Sequence, residues 1–143
     1  MEATTQVDSM AQSDAAWSAT TRNVGLSWIS SCGKRGVSFI PSPLVAEGVA
    51  LRDAVAACQA QGRRKIRFES DSAQLIKAIN MKEAPLELYG IVEDILSLSS
   101  DFESVAFRWI SSLKNLDADV IAKNALALFE QEVVVDDLIP PPN

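Results

Sequence analysis

The chain has 143 residues, of which 48% are hydrophobic and 22% are charged, and this composition is typical of one globular domain. Its formal net charge of −6 at pH 7 argues against a general nucleic-acid coat protein, because phosphates would be repelled on average. The sequence contains no histidine, so it lacks the imidazole that zinc, Ser-His-Asp and Cys-His sites mostly use. Metal chemistry on carboxylates alone remains open.

The N-terminal third is predicted to be an antiparallel meander. Residues 1–10 are polar and acidic and are interpreted as a flexible lead-in without the features of a signal peptide. Strand-like content follows at Ala15–Trp17 and Val24–Ile29, and Val37–Ile40 is predicted to be the third strand after a turn at Ser30–Gly36. The domain is expected to span residues 11–132.

The rest of the chain alternates helical and strand periodicity. This order predicts an α/β domain with a mixed sheet whose later strands are parallel. Residues 133–143 are interpreted as a C-terminal tail, since the final proline run cannot continue a helix. In chain order, the predicted elements are a helix from Leu44 to Ala60, a strand Lys65–Ser70, a helix from Asp71 to Asn80, a helical pattern on Leu88, Ile91, Ile95 and Leu98, a strand Val105–Trp109, and a helix from Asn115 to Glu130.

Four short motifs occur along these elements in a recognisable order: Asp14–Trp17 followed by Gly25, then Ala46–Leu51, Glu69–Ser72 and Asn115–Lys123. Together they resemble the ribonuclease H-like domain of plant retroelement reverse transcriptases and their domesticated relatives. The resemblance covers the chain from Asp14 to the C-terminus. It implies a five-stranded mixed sheet in the order 3-2-1-4-5, flanked by helices.

The resemblance also implies a function and a set of site residues. Asp14, Glu47, Asp71 and Asp119 would be the catalytic carboxylates that bind two Mg²⁺ (or Mn²⁺) ions, and the activity would be hydrolysis of the RNA strand of RNA–DNA hybrids. Two ions about 4 Å apart can activate water, neutralise the phosphate and stabilise the leaving oxygen, and magnesium prefers hard oxygen ligands. Taken alone, Asp14 would be an ordinary acid at a strand edge.

The other acids also have structural interpretations. Asp71 and Gln74 form a possible capping box for the following helix, and Glu47 lies in the first turns of a helix, where the dipole favours an acid. Asp117 competes with Asp119 for the fourth ligand position, because either could be a first-turn acid of the last helix. The motif spacing favours Asp119, and the alternative stays open.

Basic and aromatic residues could suggest a nucleic-acid surface elsewhere. The cluster Arg63–Lys65 with Arg67 lies at the opposite end of its strand from the predicted site, about 15–20 Å away, so it is interpreted as charge at a helix end and in solvent. Trp17, Trp28 and Trp109 alternate on strands and are predicted to be core residues.

The chain departs from its relatives near the last motif. Where they commonly carry a histidine and an arginine, this sequence has Trp109–Lys114, and Ser30 and Ser31 replace residues that are usually charged. The segment Leu86–Leu98 carries only acidic charges, so it offers no basic protrusion for a hybrid. Activity could therefore be slow, and two competing hypotheses are a catalytically degenerate binding or scaffold domain and an unrelated α/β domain.

The expected partner is an RNA–DNA hybrid or another nucleic acid, bound by a monomer that does not associate with membranes. Cys32 and Cys58 have no CxxC spacing and are interpreted as buried, reduced thiols. This favours an intracellular location, with nucleus and cytoplasm not distinguished.

Overall fold

The computed structural model describes residues 9–29 and 33–138, with side chains as far as residue 131. Within these residues, five strands and four helices follow one another in the predicted order. The strands are β1 (Ser9–Trp17), β2 (Val24–Ile29), β3 (Gly33–Val37), β4 (Lys65–Ser70) and β5 (Ser104–Trp109), and the helices are α1 (Pro43–Ala60), α2 (Ala73–Met81), α3 (Tyr89–Ser99) and α4 (Leu116–Leu138). Two short 3-10 turns, Leu86–Leu88 and Ser112–Lys114, precede α3 and α4.

The strands form one mixed sheet in the order β3-β2-β1-β4-β5, which confirms the predicted fold. The two hairpin pairs are antiparallel, whereas β1 pairs with β4 and β4 with β5 in parallel. The register places Gln12 of β1 opposite Glu69 of β4. Continued by two residues, it brings Asp14 level with Asp71, at the carboxyl end of β4.

The two faces of the sheet are covered differently. On one face, Ala11, Ile66 and Phe68 pack with Leu51 and other buried residues of α1, α2 and α3 in the main hydrophobic core. On the other face α4 packs mainly against β1, β2 and β3. The carboxyl end of the sheet is therefore bordered by α1 on one side and by the start of α4 on the other.

The contact between β2 and α4 depends on Gly25. A Cβ at this position would overlap the carbonyl oxygen of Ala122 and the backbone of Leu126, which cannot move without shifting the helix. We expect Gly25→Ala to lower the free energy of unfolding by about 1–3 kcal/mol through this overpacking, as measured by urea denaturation. Gly90→Ala is the matched control: a Cβ at Gly90 meets nothing within 4 Å, so this change should not destabilise the helix. Equal midpoints for both variants would contradict this packing.

The third strand was predicted at the wrong position. It is Gly33–Val37 that pairs with β2, not Val37–Ile40, and Phe39 lies outside the sheet with 92% of its surface exposed and a φ of 64°. The reason is tertiary, because Gly33 lies against the indole of Trp28 and Gly36 against a phenyl ring of α4, so this strand uses glycines where strands usually carry large side chains.

The first strand and the last helix extend beyond the predicted domain limits. β1 begins at Ser9, inside the predicted lead-in, because Ser9 pairs with Ile66 of β4. α4 continues to Leu138, so residues 133–138 of the predicted tail are helical. The sequence allows this because the first proline after the start of α4 is Pro140, beyond the end of the helix. None of the helices in the described ranges is both long and apolar enough to span a bilayer.

Candidate metal centre

Asp14 lies on the central strand, where the sheet contributes a buried acid to the site. It pairs with Ser27 of β2 and is only 3% exposed. Its partner on the β4 side would be Asp71, which follows the last residue of that strand. A carboxylate at this position loses most of its hydration, and it must therefore bind a cation or retain a proton.

Glu47 reaches the same place from α1. The helix begins with a conventional cap, in which the Ser42 hydroxyl accepts a hydrogen bond from the Val45 amide at 3.2 Å and Pro43 occupies the first turn. Glu47 follows one turn later, and its Oε2 atom is buried with no hydrogen-bond donor among the described residues. A buried carboxylate oxygen without a donor suggests a site for a cation.

Asp71 is not the cap of α2, so the capping-box interpretation was wrong. Ser72 is the cap, and its hydroxyl accepts from the Leu75 amide at 3.4 Å. The main-chain carbonyl of Asp71 accepts a hydrogen bond from the Trp109 indole at 3.1 Å. Among the described residues the Asp71 carboxylate makes no hydrogen bond or ion pair, so it is available for a ligand.

These three acids converge. One carboxylate oxygen each from Asp14, Glu47 and Asp71 lies within 4.8 Å of the other two, an arrangement that could hold a metal ion. They come from β1, α1 and the end of β4, so the fold, not the sequence spacing, brings them together. Like charges this close repel one another unless a cation or a proton intervenes.

The electrostatics of the cluster reflect this crowding. Burial, with the charges of Asp14 and Asp71, raises the pKa of Glu47 to about 10. Burial, the charge of Asp71 and a hydrogen bond with Asp119 raise the pKa of Asp14 to about 7. Without metal, the cluster therefore retains protons near neutral pH, and a divalent ion would displace them on binding.

Asp119 and not Asp117 lies beside the cluster. It is in the first turn of α4, its carboxyl contributes to the raised pKa of Asp14, and its Oδ2 pairs with Lys123 at 2.8 Å. Asp117 is exposed to solvent. Asp119 is not one of the three acids whose oxygens lie within 4.8 Å of one another. Its role as a metal ligand therefore stays a prediction.

Asn115, whose role sequence reasoning left unassigned, anchors the start of α4. It is fully buried, and its Nδ2 donates to the Ser13 carbonyl at 3.0 Å while its own carbonyl accepts from the Asp119 amide at 3.0 Å. These two bonds connect Asp119 to the strand that carries Asp14. The Asn-x-x-Ala-Asp spacing was the signal that could have identified this anchor.

The remaining sequence interpretations have mixed outcomes. The cluster Arg63–Lys65 lies at the start of β4, at the opposite end from Asp71, as predicted. Cys58 is buried and free, whereas Cys32, Ser30 and Ser31 lie outside the described residues.

The tryptophan prediction was wrong for one of the three residues. Trp28 and Trp17 are partly buried against the core, but Trp109 is 53% exposed. It lies at the end of edge strand β5, where its ring meets solvent while its indole N–H donates to the Asp71 carbonyl. An aromatic residue at a strand end was therefore not a reliable sign of burial.

Comparison with known families identifies this arrangement. The reverse transcriptase-like family model matches residues 11–125, a segment that includes all four predicted site residues. The chain belongs to the reverse transcriptase-like family. No curated protein matches its sequence significantly. The origin in a plant retroelement stays a prediction.

The solved structures similar to this family member include ribonucleases H. The N-terminal RNase H domain of Rv2228c from Mycobacterium tuberculosis, solved as a fusion with maltose-binding protein, has a TM-score of 0.76 at 16% identity, covering 87% of this chain and 96% of that one. RNase H1 from Halobacterium salinarum NRC-1 has a TM-score of 0.72 at 20% identity, covering 82% and 96%. LC11-RNase H1 in complex with an RNA/DNA hybrid has a TM-score of 0.68 at 16% identity, covering 82% and 96%. At these identities the likeness establishes the fold.

Proposed function

We propose that this reverse transcriptase-like domain is a metal-dependent endonuclease that hydrolyses the RNA strand of RNA–DNA hybrids. The observation that carries the proposal is the convergence of Asp14, Glu47 and Asp71, with one oxygen of each within 4.8 Å of the others. The buried Oε2 of Glu47, which has no donor among the described residues, supports a cation at this point.

The donor set fits magnesium or manganese. All three groups are carboxylates, and Asp119, which pairs with Lys123 beside the cluster, would supply a fourth oxygen if it left Lys123. Divalent ions bound here would polarise the phosphate and lower the pKa of the attacking water. The protein's own contribution is to hold the carboxylates in place, mostly out of water, and to release their protons as the cations bind.

The hybrid as substrate is supported by the fold relatives. LC11-RNase H1, which has the same fold, was solved with an RNA/DNA hybrid. Selection of a hybrid over duplex DNA would use contacts to RNA 2′-hydroxyls in the shallow minor groove.

A direct test is a cleavage assay on a labelled RNA–DNA hybrid with Mg²⁺ or Mn²⁺, with single-stranded RNA and duplex DNA as parallel substrates. We expect RNA-strand fragments from the hybrid only, and no fragments in excess EDTA. Binding of Mn²⁺ by calorimetry without any cleavage at high enzyme concentration would refute the nuclease and leave only the metal site.

The second candidate is a degenerate ribonuclease H-like domain that binds or scaffolds. It is favoured by the segment before α4, where Leu113 is 78% exposed and no imidazole is present to help the product leave. Titration with the hybrid at low salt discriminates between the candidates. Tight binding that does not depend on metal, without cleavage, would support this alternative.

Trp109 supplies a further prediction about the metal centre. We expect Trp109→Phe, which keeps an aromatic ring but removes the indole donor to Asp71, to weaken Mn²⁺ binding about 10-fold in calorimetry, because groups that orient a ligand residue tune its metal affinity. Trp17→Phe is the matched control, since Trp17 also donates to a backbone carbonyl, but to that of Ile40 at 2.9 Å and not to that of a site acid. Similar Mn²⁺ affinities in both variants would contradict a positioning role for Trp109.

The same hypothesis includes the domain limits, the oligomeric state and the location of the protein. We propose a ribonuclease H-like domain over residues 11–132 that acts as a monomer inside the cell, in the nucleus or the cytoplasm. Sedimentation at several protein concentrations tests the monomer, and limited proteolysis tests the domain limits.

A further inference from the structure

The distribution of ion pairs limits the free cations on this acidic domain. Many basic side chains of the described residues are already bonded to acids. The pairs are Arg35–Asp53, Arg52–Asp94, Arg64–Glu103, Lys65–Glu103, Arg67–Glu69 and Lys123–Asp119. Within residues 9–29 and 33–131, six exposed cations make no ion pair: Arg22, Lys34, Lys77, Lys82, Arg108 and Lys114. Apart from bound metal ions, such unpaired local cations are the groups of an acidic chain with a net charge of −6 that are best suited to hold a polyanion.

Arg108 lies close to the candidate metal centre. It is on β5 opposite Glu69 of β4, which is itself opposite Gln12 of β1, so the three side chains form a row on one face of the sheet. Asp71 follows Glu69 by two residues. With about 3.3 Å per residue and about 4.8 Å between strands, the Cα atoms of Arg108 and Asp71 are about 8 Å apart.

Glu69, the acid nearest Arg108 in this row, is already bonded to other side chains. Glu69 is 7% exposed, and its two oxygens bind Arg67 Nε at 3.1 Å and Gln12 Nε2 at 3.0 Å. Its charge is therefore compensated by Arg67. The exposed guanidinium of Arg108 remains an uncompensated charge next to the carboxylate cluster.

Lys114 is held at the other end of the same row. Its carbonyl accepts a hydrogen bond from Gln12 Nε2 at 3.5 Å, and the next residue, Asn115, is bonded to the Ser13 carbonyl at 3.0 Å. The backbone of Lys114 is thus fixed over β1, close to Asp14, while its side chain is exposed. Of the other free cations, one lies on α2 and one at its C-terminal cap, one on β3 beside α4, and one in the turn after β1.

We propose that Arg108 and Lys114 form a phosphate-binding surface beside the carboxylate cluster, which contacts the sugar–phosphate backbone of the nucleic acid whose scissile phosphate lies at the metals. The inference rests on the proposed function and specifies which surface binds the substrate. The two charges flank the Gln12–Glu69 contact, so a strand crossing the carboxyl end of the sheet would pass between them.

The competing surface is the basic cluster at the start of β4. Arg64 and Lys65 both bond to Glu103, at 2.6 Å and 3.8 Å, and Lys65 is about 20 Å along the strand direction from Asp71. This location suits a charge pair in solvent better than a contact to the scissile region. The two surfaces therefore make opposite predictions for mutagenesis.

The test compares two double variants in an Asp71→Asn background, in which cleavage is blocked. Arg108→Gln/Lys114→Gln and Arg64→Gln/Lys65→Gln each remove two positive charges, so both change the net charge equally. Affinity for a labelled hybrid, and for duplex DNA of the same length, is measured as the KCl concentration is raised. Each lost phosphate contact should reduce the slope of log affinity against log salt by about 0.9.

We expect the magnitude of this slope to be about 1.8 smaller for the Arg108/Lys114 variant, because two phosphate contacts are lost. The Arg64/Lys65 variant should keep the slope of the parent protein. An unchanged slope for the first variant, with cleavage by the wild type intact, would overturn the proposed surface and leave the nuclease proposal standing. A reduced slope on duplex DNA, together with no hybrid cleavage by the wild type, would instead retain the surface and refute the substrate. A loss confined to the Arg64/Lys65 variant would move the binding surface to the start of β4.

Discussion

Replacing Asp71 with Asn is expected to abolish hybrid cleavage, lowering the rate by more than about 100-fold, because the change removes one of three convergent ligands and not merely a group that orients one. The fold should survive. The Asp71 carboxylate caps no helix, and its removal relieves repulsion in a crowded cluster. The measurement is initial cleavage rate at saturating Mn²⁺, accompanied by the thermal midpoint of the metal-free protein.

Asp117→Asn is the matched control for the acids of the site. Asp117 is exposed and only two residues from Asp119, so its loss should leave the rate within about twofold, since surface substitutions away from a site have small effects. Asp119→Asn should weaken Mn²⁺ binding and slow cleavage, because Asp119 lies beside Asp14. Substantial metal-dependent cleavage by Asp71→Asn, or a larger loss in Asp117→Asn than in Asp119→Asn, would refute this assignment of the site.

Glu47→Gln is expected to stabilise the metal-free protein at neutral pH. The pKa of Glu47 is raised from 4.5 to about 10 in the folded state, so between these values the folded protein binds more protons than the unfolded chain. Stability therefore falls as pH rises through this range. Asp14, with a pKa raised from 3.8 to about 7, adds to the decline between pH 4 and pH 7.

The amide introduced by Glu47→Gln carries no titratable proton and can donate a hydrogen bond to the Asp14 carboxylate. At pH 7 the variant should gain on the order of 3 kcal/mol in the free energy of unfolding in EDTA, and its stability should depend less steeply on pH. At pH 4, where the wild-type glutamate is largely protonated in both states, the difference should nearly disappear. Urea denaturation at pH 4, 5.5, 7 and 8 measures both effects.

Addition of Mn²⁺ should reverse the order of stability. The wild type would gain stability from metal binding, whereas Glu47→Gln would gain much less because a ligand is missing. Glu93→Gln, which changes an exposed acid on α3, is the control. It should change the free energy of unfolding by no more than a few tenths of a kcal/mol, both in EDTA and with Mn²⁺. A Glu47→Gln variant that is less stable than the wild type at pH 7 in EDTA would contradict a strained, buried carboxylate.

Local periodicity was sufficient to predict most elements of the sheet and its helices. The strand Lys65–Ser70 and the helix ending at Ala60 are where the pattern placed them, because burial of one face imposes a period of two or of about 3.6 residues on the sequence itself. The strand order and the candidate ligands came from the motifs that resemble a family. The strand order is confirmed by the structure, and the ligand roles remain predictions.

What the tertiary structure alone decided concerns positions where the local pattern left more than one interpretation open. Ser72, not Asp71, caps α2, and Asp119, not Asp117, faces Asp14, because the end of β4 and the start of α4 are fixed by neighbours distant in sequence. The third strand was misplaced for the same reason.

The sequence by itself thus determined most of the elements and, through its resemblance to a family, the strand order and the acids that could meet. Only the structure determined which acids do meet, how strongly burial raises their pKa values, and that Trp109 is exposed beside them. The physical reason is that helix and strand patterns record interactions between near neighbours, whereas the field at a buried carboxylate depends on charges and packing contributed by chain segments far apart in sequence.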